Sequence, residues 1–259
     1  MFLTDRQTKI IGIAKSTGRV LSEDLAARFG VTPQTIRKDL NDLCDARILT
    51  RMHGGASLPS GTANALYEQR RQIAALEKQA IGVAAAALIP NNTSLFINIG
   101  TTTEAVSEAL TSHSELMVIT NNINVANRLR LLPSIEVVVA GGVVRASDGG
   151  IVGEAAVDFI RQFKVDYAVI GASAIDSDGA LLDYDFREVK VAQAIIANAR
   201  HVILVADSTK FERTAPVRIG QLSQVQTLIT DQCSVASIRT ICQENDVVLI
   251  ETAGKPEFE

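Results

Sequence analysis

Apolar residues at the start of the chain recur every three or four positions, a spacing that predicts three short helices. The residues expected on their buried faces are Ile10, Ile11 and Ala14, then Leu25, Ala26 and Phe29, then Ile36, Leu40 and Leu43. Gly18 is expected to end the first helix. Ser22 is placed to cap the second, and Gly30 suits the left-handed turn that ends it. Thr32 followed by Pro33 is typical of the start of the third helix.

Burial of one face of the third helix turns its polar residues outward. These are Gln34, Lys38, Asn41 and Asp45, with Thr35 and Arg37 on the flanks. Residues 48–55 then favour a short hairpin or wing tip. Residues 55–65, rich in Gly, Ala, Ser, Pro and Thr, are typical of a linker.

From Glu68 onward the pattern changes to apolar strands that alternate with helices. A long helix is predicted over Glu68–Leu88, ended by Pro90. The predicted strands are Ser94–Ile99, Leu116–Thr120, Ile135–Ala140, Val165–Ile170, His201–Ala206, Val225–Thr230 and Val247–Ile250. The helices between them are Thr103–Leu110, Ile123–Leu132, Glu154–Phe163, Phe186–Ala199 and Ser234–Glu244. This alternation favours an α/β fold with a mostly parallel sheet covered on both faces.

The length and composition predict a folded, soluble cytoplasmic protein with one large domain, or with a small domain joined to a medium one. The chain has 259 residues, of which 47% are hydrophobic, and this excludes wholesale disorder. Charges, Gly or Pro interrupt every apolar stretch well short of the roughly 20 residues that a membrane span needs. The N-terminus is charged too early for a signal peptide. The scattered Cys44, Cys233 and Cys242 fit neither a disulfide framework nor a metal site.

Charge is distributed unevenly along the chain. Residues 1–53 hold nine Lys or Arg and six Asp or Glu, which gives a net charge of +3. The remaining residues have a net charge of −7, and the whole chain therefore has a net charge of −4. A positive N-terminal segment on an acidic body indicates a polyanionic partner for that segment.

The third helix has the residues of a DNA reader. Side chains in its exposed first half can reach base edges and phosphates in a major groove, and a tight turn precedes it, as in a helix-turn-helix. The predicted DNA contacts are Ser22, Thr32, Gln34, Thr35, Arg37, Lys38, Arg51 and His53. Asp39 beside them is expected to orient a neighbouring Arg. The alternative is a three-helix packing or dimerisation module with a solvated polar face.

Residues 98–103 predict a strand that runs into a hydroxyl-rich turn and opens a helix. Such a turn offers backbone N–H groups and a helix dipole to a phosphate, although it is also an ordinary capped junction. Polar or Gly-rich loops follow three further strands, and open α/β sheets bind ligands at these strand ends. The predicted ligand contacts are Asn98, Gly100, Thr101, Thr102, Thr103, Asn121, Asn122, Gly141, Gly142, Arg145, Asp207 and Lys210.

Residues 31–40 (VTPQTIRKDL) and 51–56 (RMHGGA) together resemble the signature of the DeoR family of bacterial repressors. Residues 148–155 and 175–179, with Glu188 and Val189, agree with the same family. The resemblance implies a winged helix-turn-helix over residues 1–57, a linker and the start of a connecting helix over 58–75, and a sugar-phosphate-sensing domain over 76–259. The sensor fold is expected to be similar to the ribose-5-phosphate isomerase type.

The resemblance also implies the function. We expect a homo-oligomeric repressor, dimer or tetramer, that binds double-stranded operator DNA and is released by a small phosphorylated effector. Glycerol 3-phosphate is the first candidate, which implies control of glycerol metabolism, and another phosphorylated sugar or polyol is the second. No cofactor, metal or membrane partner is expected. The chain departs from the family at Asn98, where the family commonly has Asp.

An isomerase-like fold leaves an enzyme as the alternative. In aldose–ketose isomerisation a carboxylate moves a proton between adjacent carbons. Asp183, Asp185 or Glu188 are candidates for that base, with Lys210 as an electrostatic partner. A DNA-reading segment has no evident use in such an enzyme, so the sequence favours the repressor.

Overall fold

The structure is a computed structural model that describes residues 3–17, 19–46, 48–52, 54–57 and 67–253. The chain forms two compact units, Met1–Ala63 and Asn64–Glu259. Within the described residues, no helix is long and apolar enough to cross a membrane.

The N-terminal unit is a three-helix domain with a small sheet. Its elements are α1 (Asp5–Thr17), β1 (Arg19–Leu21), α2 (Ser22–Phe29), α3 (Pro33–Asp45), β2 (Thr50–Met52) and β3 (Gly55–Ser57). The strands pair antiparallel in the order β1-β3-β2. The core contains Ile10, Ala14, Leu25, Ile36, Leu40 and Leu43, so the predicted helical faces and hairpin are confirmed. Strand β1 was not predicted, because three residues are too few to show alternation.

The predicted turns between these helices are largely confirmed. Gly30 ends α2 with φ +64°, and the Thr32 side chain caps α3 by accepting from the Thr35 N–H at 3.3 Å. The cap predicted at Ser22 is wrong. Leu21 occupies the cap position, and Ser22 is the first helical residue, buried, with its N–H donating to the Gly54 carbonyl at 2.8 Å. Strand β1 runs directly into α2, so no residue is free to turn and cap it.

The second unit is a sheet between two layers of helices. It begins with α4 (Tyr67–Gln72), α5 (Ala75–Ala87), β4 (Ser94–Ile97), α6 (Thr101–Ala109), β5 (Leu116–Thr120), α7 (Ile123–Leu129) and β6 (Ile135–Val139). It continues with β7 (Val143–Val144), β8 (Ile151–Val152), α8 (Glu154–Ile160), β9 (Val165–Ile170), β10 (Ala174–Ile175) and β11 (Ala180–Asp183). The last elements are α9 (Phe186–Ala197), β12 (Ala199–Val205), β13 (Val217–Gln221), β14 (Thr227–Thr230), α10 (Ala236–Glu244) and β15 (Val248–Glu251).

Seven strands form a parallel sheet in the order β15-β14-β12-β9-β4-β5-β6. Alternate residues of each strand enter opposite cores. Phe96 packs with the layer of α8, α9 and α10, whereas Leu95 and Ile97 pack with the layer of α5, α6 and α7. The predicted parallel sheet covered on both faces is confirmed. The strands β7, β8, β10, β11 and β13, which form two small antiparallel sheets, were not predicted.

The helix predicted over Glu68–Leu88 is broken. Helix α4 ends at Gln72 and α5 begins at Ala75, with Ala74 in the left-handed conformation at φ +51°. The Lys78 ammonium donates to the carbonyls of Arg70 and Ile73, which holds the chain in this kink. Helix α4, which lies within the predicted connecting segment 58–75, packs against α6 of the second unit.

Candidate functional site

Helix α3 presents a polar face to solvent. Gln34, Arg37 and Lys38 are exposed, while Ile36 and Leu40 on the opposite side are buried. Thr32 is exposed and its hydroxyl lies 2.9 Å from that of the half-buried Thr35. The α3 residues predicted to contact DNA therefore lie together on one accessible face.

The remaining predicted DNA contacts differ in their accessibility. Arg51 on β2 is exposed, and His53 lies outside the described residues. Ser22 is only 5% exposed, so its hydroxyl has little access to a nucleic acid, which corrects its prediction as a contact. Its burial follows from its place at the junction of β1 and α2, against the turn that contains Gly54.

Asp39 links α3 to α1. Its carboxylate accepts from Arg6 Nε at 2.5 Å and from Arg6 Nη2 at 3.3 Å, and its side chain is buried. The expectation that Asp39 orients an Arg is confirmed, and that Arg belongs to α1. The bidentate pair fixes α3 against α1 and so sets the direction of its exposed side chains.

In the second unit, the predicted ligand loops lie at the carboxyl ends of the parallel strands. The ends of β4, β5 and β6 are adjacent as predicted, and β9 separates β4 from β12. Gly171 follows β9 directly. A Cβ there would be in ordinary van der Waals contact with Thr103 Cγ2 of α6 at 3.7 Å and with the Val205 carbonyl of β12 at 3.8 Å, so α6 and β12 both lie beside the end of β9.

The start of α6 faces this edge of the sheet. Gly100 caps α6 at φ +150°, a conformation that favours glycine, and the first three N–H groups of a helix have no partner within it. Thr103 holds the turn, because its hydroxyl donates to the carbonyls of Asn98 at 2.7 Å and Gly100 at 2.8 Å. Its predicted role as a ligand contact is therefore replaced by a structural one, and Thr101 and Thr102 remain beside the free amides.

A group of cations lies beside Asp207, after β12. Lys78 Nζ and Lys210 Nζ each lie 4.0 Å from the Asp207 carboxylate. Burial lowers the pKa of Lys78, and Arg213 and Arg70 lower it further, while Asp207 and Glu77 oppose the shift. Burial also lowers the pKa of Lys210 to about 8, where Arg213, Lys78 and Arg70 add to the effect and Asp207 opposes it. One carboxylate thus faces several cations, and the local charge is positive.

Lys78 is a candidate site residue that sequence reasoning missed. It is 4% exposed and stands in a helix that otherwise reads ALE-QAIGVAAAA. The sequence shows only a single lysine in an alanine-rich stretch, and its burial becomes visible in the fold. Burying a charge is costly unless it has partners, so this burial marks Lys78 as a candidate.

Buried polar atoms without a hydrogen-bond partner gather at the same edge. Among the described residues, such atoms are Arg70 Nε, Asn98 Oδ1, Asn121 Oδ1, Asp207 Oδ2 and His113 Nδ1. The first four belong to the residues that surround the strand ends. Since unpartnered buried polar groups are rare, four in one place indicate a site for a polar ligand.

The loops after β5 and β6 fulfil the prediction only in part. Asn121 is buried, with Nδ2 donating to the Ile151 carbonyl at 3.1 Å. Asn122 caps α7 and donates to Glu104 at 3.0 Å, so its amide is already engaged. Gly141 and Gly142 are exposed next to β6, the edge strand furthest from Asp207.

Arg145 is held by carboxylates rather than available for a phosphate. It donates to Asp148 at 2.7 and 2.8 Å, to Glu188 at 2.6 Å and to Asp185 at 3.1 Å. Burial alone would lower the pKa of Arg145, but Asp148 and Glu188 raise it. Burial, with the charge of Asp183 nearby, raises the pKa of Glu188 to about 8 against the opposing effect of Arg145. The prediction that Arg145 supplies the cation for the ligand is corrected.

Comparison with known proteins places both units. Residues 6–62 match the family described as DeoR-like helix-turn-helix domain, and residues 73–232 match the DeoR C terminal sensor domain. The glycerol-3-phosphate regulon repressor of Escherichia coli (strain K12) is 45% identical over 246 residues, which cover 95% of this chain and 98% of that protein. The repressor of the same name from Haemophilus influenzae is 50% identical, over 87% of this chain and 88% of its own. Ribose 5-phosphate isomerase from Plasmodium falciparum matches 52% of each chain at 14% identity, with a TM-score of 0.39.

Proposed function

The chain belongs to the DeoR family, and from this premise we propose that it is a transcriptional repressor whose operator affinity is lowered by glycerol 3-phosphate. The observation that supports the effector site best is the positive group formed by the buried Lys78 and the largely buried Lys210 around the carboxylate of Asp207. Buried cations are stable only with a partner of opposite charge, and a dianionic phosphate is such a partner.

The effector contacts follow from the position of these groups. The phosphate takes charge-assisted hydrogen bonds from Lys78 and Lys210, while the amides of Thr101 and Thr102 and the start of α6 add dipolar stabilisation. The unpartnered oxygens of Asn98 and Asn121 accept from the effector's hydroxyl groups. Because Asn98 is neutral, it does not repel the phosphate as a carboxylate would.

On the DNA side, α3 enters the major groove. Gln34 and Arg37 reach base edges, Lys38 and Thr35 contact phosphates, and Arg51 on the wing contacts the backbone beside the groove. Two or more copies of the chain hold the operator half-sites together. Effector binding shifts the oligomer to an arrangement that no longer matches the half-site spacing, to the extent that its affinity for the two arrangements differs.

We assign no catalytic role to the acidic residues named as candidates for an isomerase base. Asp185 and Glu188 are paired with Arg145 at 3.1 and 2.6 Å, and the buried Asp183 accepts from the Ser173 hydroxyl at 3.1 Å, so all three carboxyl groups are engaged within the protein. Incubation with phosphorylated sugars, followed by NMR, is expected to show no isomerisation. Sustained turnover would contradict this assignment.

The central test is operator release. A DNA fragment selected by the protein from a random-sequence pool is titrated with the full chain, with and without glycerol 3-phosphate. We expect glycerol 3-phosphate to release the DNA and glycerol to have no effect, because the site is built around the phosphate. Inorganic phosphate and other phosphorylated sugars and polyols complete the series. If no phosphorylated compound releases the fragment, the proposed function is wrong.

A further inference from the structure

Helix α4 is the first described helix of the second unit. Its side chains form hydrogen bonds with residues around the proposed effector site. The Tyr67 hydroxyl donates to Glu104 at 2.5 Å and accepts from Asn124 Nδ2 at 3.0 Å. Arg70 Nη2 donates to the buried Asp148 carboxylate at 3.0 Å. These partners stand on α6, on α7 and in the loop between β7 and β8, so α4 bridges three elements of the second unit.

The join between α4 and α5 is strained. Ala74 has φ +51° and ψ +43°, a left-handed conformation that L residues other than Asn and Asp rarely adopt. Nothing in the composition of residues 67–87 breaks a helix, since the segment has no proline and its one glycine, Gly82, lies further along α5. The kink is therefore imposed by tertiary contacts.

Lys78 supplies those contacts and also belongs to the effector site. Two of its ammonium protons go to the carbonyls of Arg70 and Ile73 at the end of α4, and its nitrogen lies 4.0 Å from Asp207. Arg70, on α4 itself, has a buried Nε without a partner. Moving α4 away would remove Arg70 from the site and would leave the Lys78 ammonium without its two carbonyl acceptors.

We propose that the kink at Ile73 and Ala74 is the joint through which effector occupancy reaches the DNA-binding unit. A phosphate held by Lys78, Arg70 and Lys210 favours the docked, kinked α4, because only that conformation brings the three cations together. Operator binding favours the conformation in which α4 is released. Since the two ligands prefer different conformations of one element, each lowers the affinity for the other. This inference rests on the proposed function and adds the residues that couple the two sites.

Ala74→Gly tests the joint directly. Glycine adopts the left-handed conformation without strain and disfavours a continuous helix, so the substitution favours the docked α4. In the full chain we expect the glycerol 3-phosphate concentration that releases half of the operator to fall about fivefold. Ala80→Gly is the matched control, because it makes the same substitution at an exposed position of α5 that lies outside the kink.

Tyr67→Phe tests the same joint with the opposite sign. It removes the hydroxyl that links Glu104 and Asn124, so the docked α4 is weakened and the half-release concentration is expected to rise about fivefold. Tyr184→Phe is the control, since the Tyr184 hydroxyl donates to the Thr214 carbonyl at 3.0 Å, outside α4. General loss of stability cannot produce shifts of opposite sign in the two variants.

Amide hydrogen exchange of residues 68–73 gives a second readout. Glycerol 3-phosphate is expected to slow exchange there in the wild-type chain, and less so in Tyr67→Phe. If the wild type releases operator with effector while both variants follow its curve and exchange in α4 does not change, the joint is overturned and the proposed function stands. If the wild type itself does not respond to any phosphorylated compound, both are overturned.

Discussion

The cations that we propose as ligand contacts lie in opposite environments in the two units. In the N-terminal unit Arg37 and Lys38 stand in solvent on α3, whereas in the second unit Lys78 is buried and Lys210 is largely so. Exposed cations keep their hydration and attract a polyanion over a distance set by the salt concentration. Buried cations have lost that hydration, so a bound anion stabilises them more than it would stabilise exposed cations. The difference suits one unit to a long polyanion and the other to a small metabolite.

The largest effect is expected from removing a buried cation. Lys210→Met keeps the length of the side chain and removes its charge, which deletes a charge-assisted hydrogen bond to the phosphate. Effector affinity should fall by about 1.5–3 kcal/mol, or roughly 10- to 150-fold. Isothermal titration calorimetry measures this, and operator affinity in the absence of effector should not change. The exposed Lys190→Met is the control. Unchanged effector affinity in Lys210→Met would place the phosphate elsewhere.

Removing an exposed cation of α3 should affect the other ligand alone. Arg37→Ala is expected to weaken operator binding by about 1–3 kcal/mol and to leave effector binding intact. Fluorescence anisotropy with labelled operator measures the loss, and repeating it over a range of salt separates base contacts from phosphate contacts. Arg161→Ala removes another exposed arginine, in the second unit, and is the control that should leave operator affinity unchanged. Normal operator binding by Arg37→Ala would remove α3 from the interface.

The smallest expected effect is a pH dependence of effector affinity that operator affinity should not share. Burial lowers the pKa of Lys210 to about 8, and Asp207, Arg213, Lys78 and Arg70 are the charged groups that act on it. A bound phosphate raises that pKa, so binding takes up a proton once the free ammonium begins to dissociate. Effector affinity should therefore hold below about pH 8 and decline above it, by at most tenfold per pH unit.

The wild-type decline is measured by calorimetry between pH 7 and 9.5 and compared with Lys210→Met, in which it should be smaller. Operator binding in the absence of effector should show no decline that depends on Lys210, because Lys210 is not among the proposed DNA contacts. An effector affinity that rises with pH would show that another group controls binding.

Much of the fold follows from local patterns. The faces of α2 and α3, the Thr32 cap and the strands Leu116–Thr120 and Val165–Ile170 were predicted with their boundaries, because apolar periodicity and capping chemistry act within a few residues. The candidate site was predicted only in part. Asp207, Lys210, Asn98 and the turn before α6 do meet at one edge of the sheet, since parallel strands end together.

The rest depended on partners distant in the chain. Arg145 carries the same charge in sequence whether it faces a phosphate or carboxylates, and only the fold brought Asp148, Asp185 and Glu188 around it. Asn122 and Thr103 are polar residues in a polar loop, yet their hydrogen bonds go to Glu104 and to backbone carbonyls rather than to a ligand.

The sequence by itself determined the two units, the exposed face of α3 and the order of strands and helices, because each depends on residues a few positions apart. Only the tertiary structure decided that α4 and α5 are separate helices and that Lys78 is buried beside Asp207, 129 positions away in the numbering. Helix propensity favours a continuous helix over 67–87, and the kink exists because a buried ammonium needs oxygen acceptors. That requirement comes from desolvation, which no local pattern records.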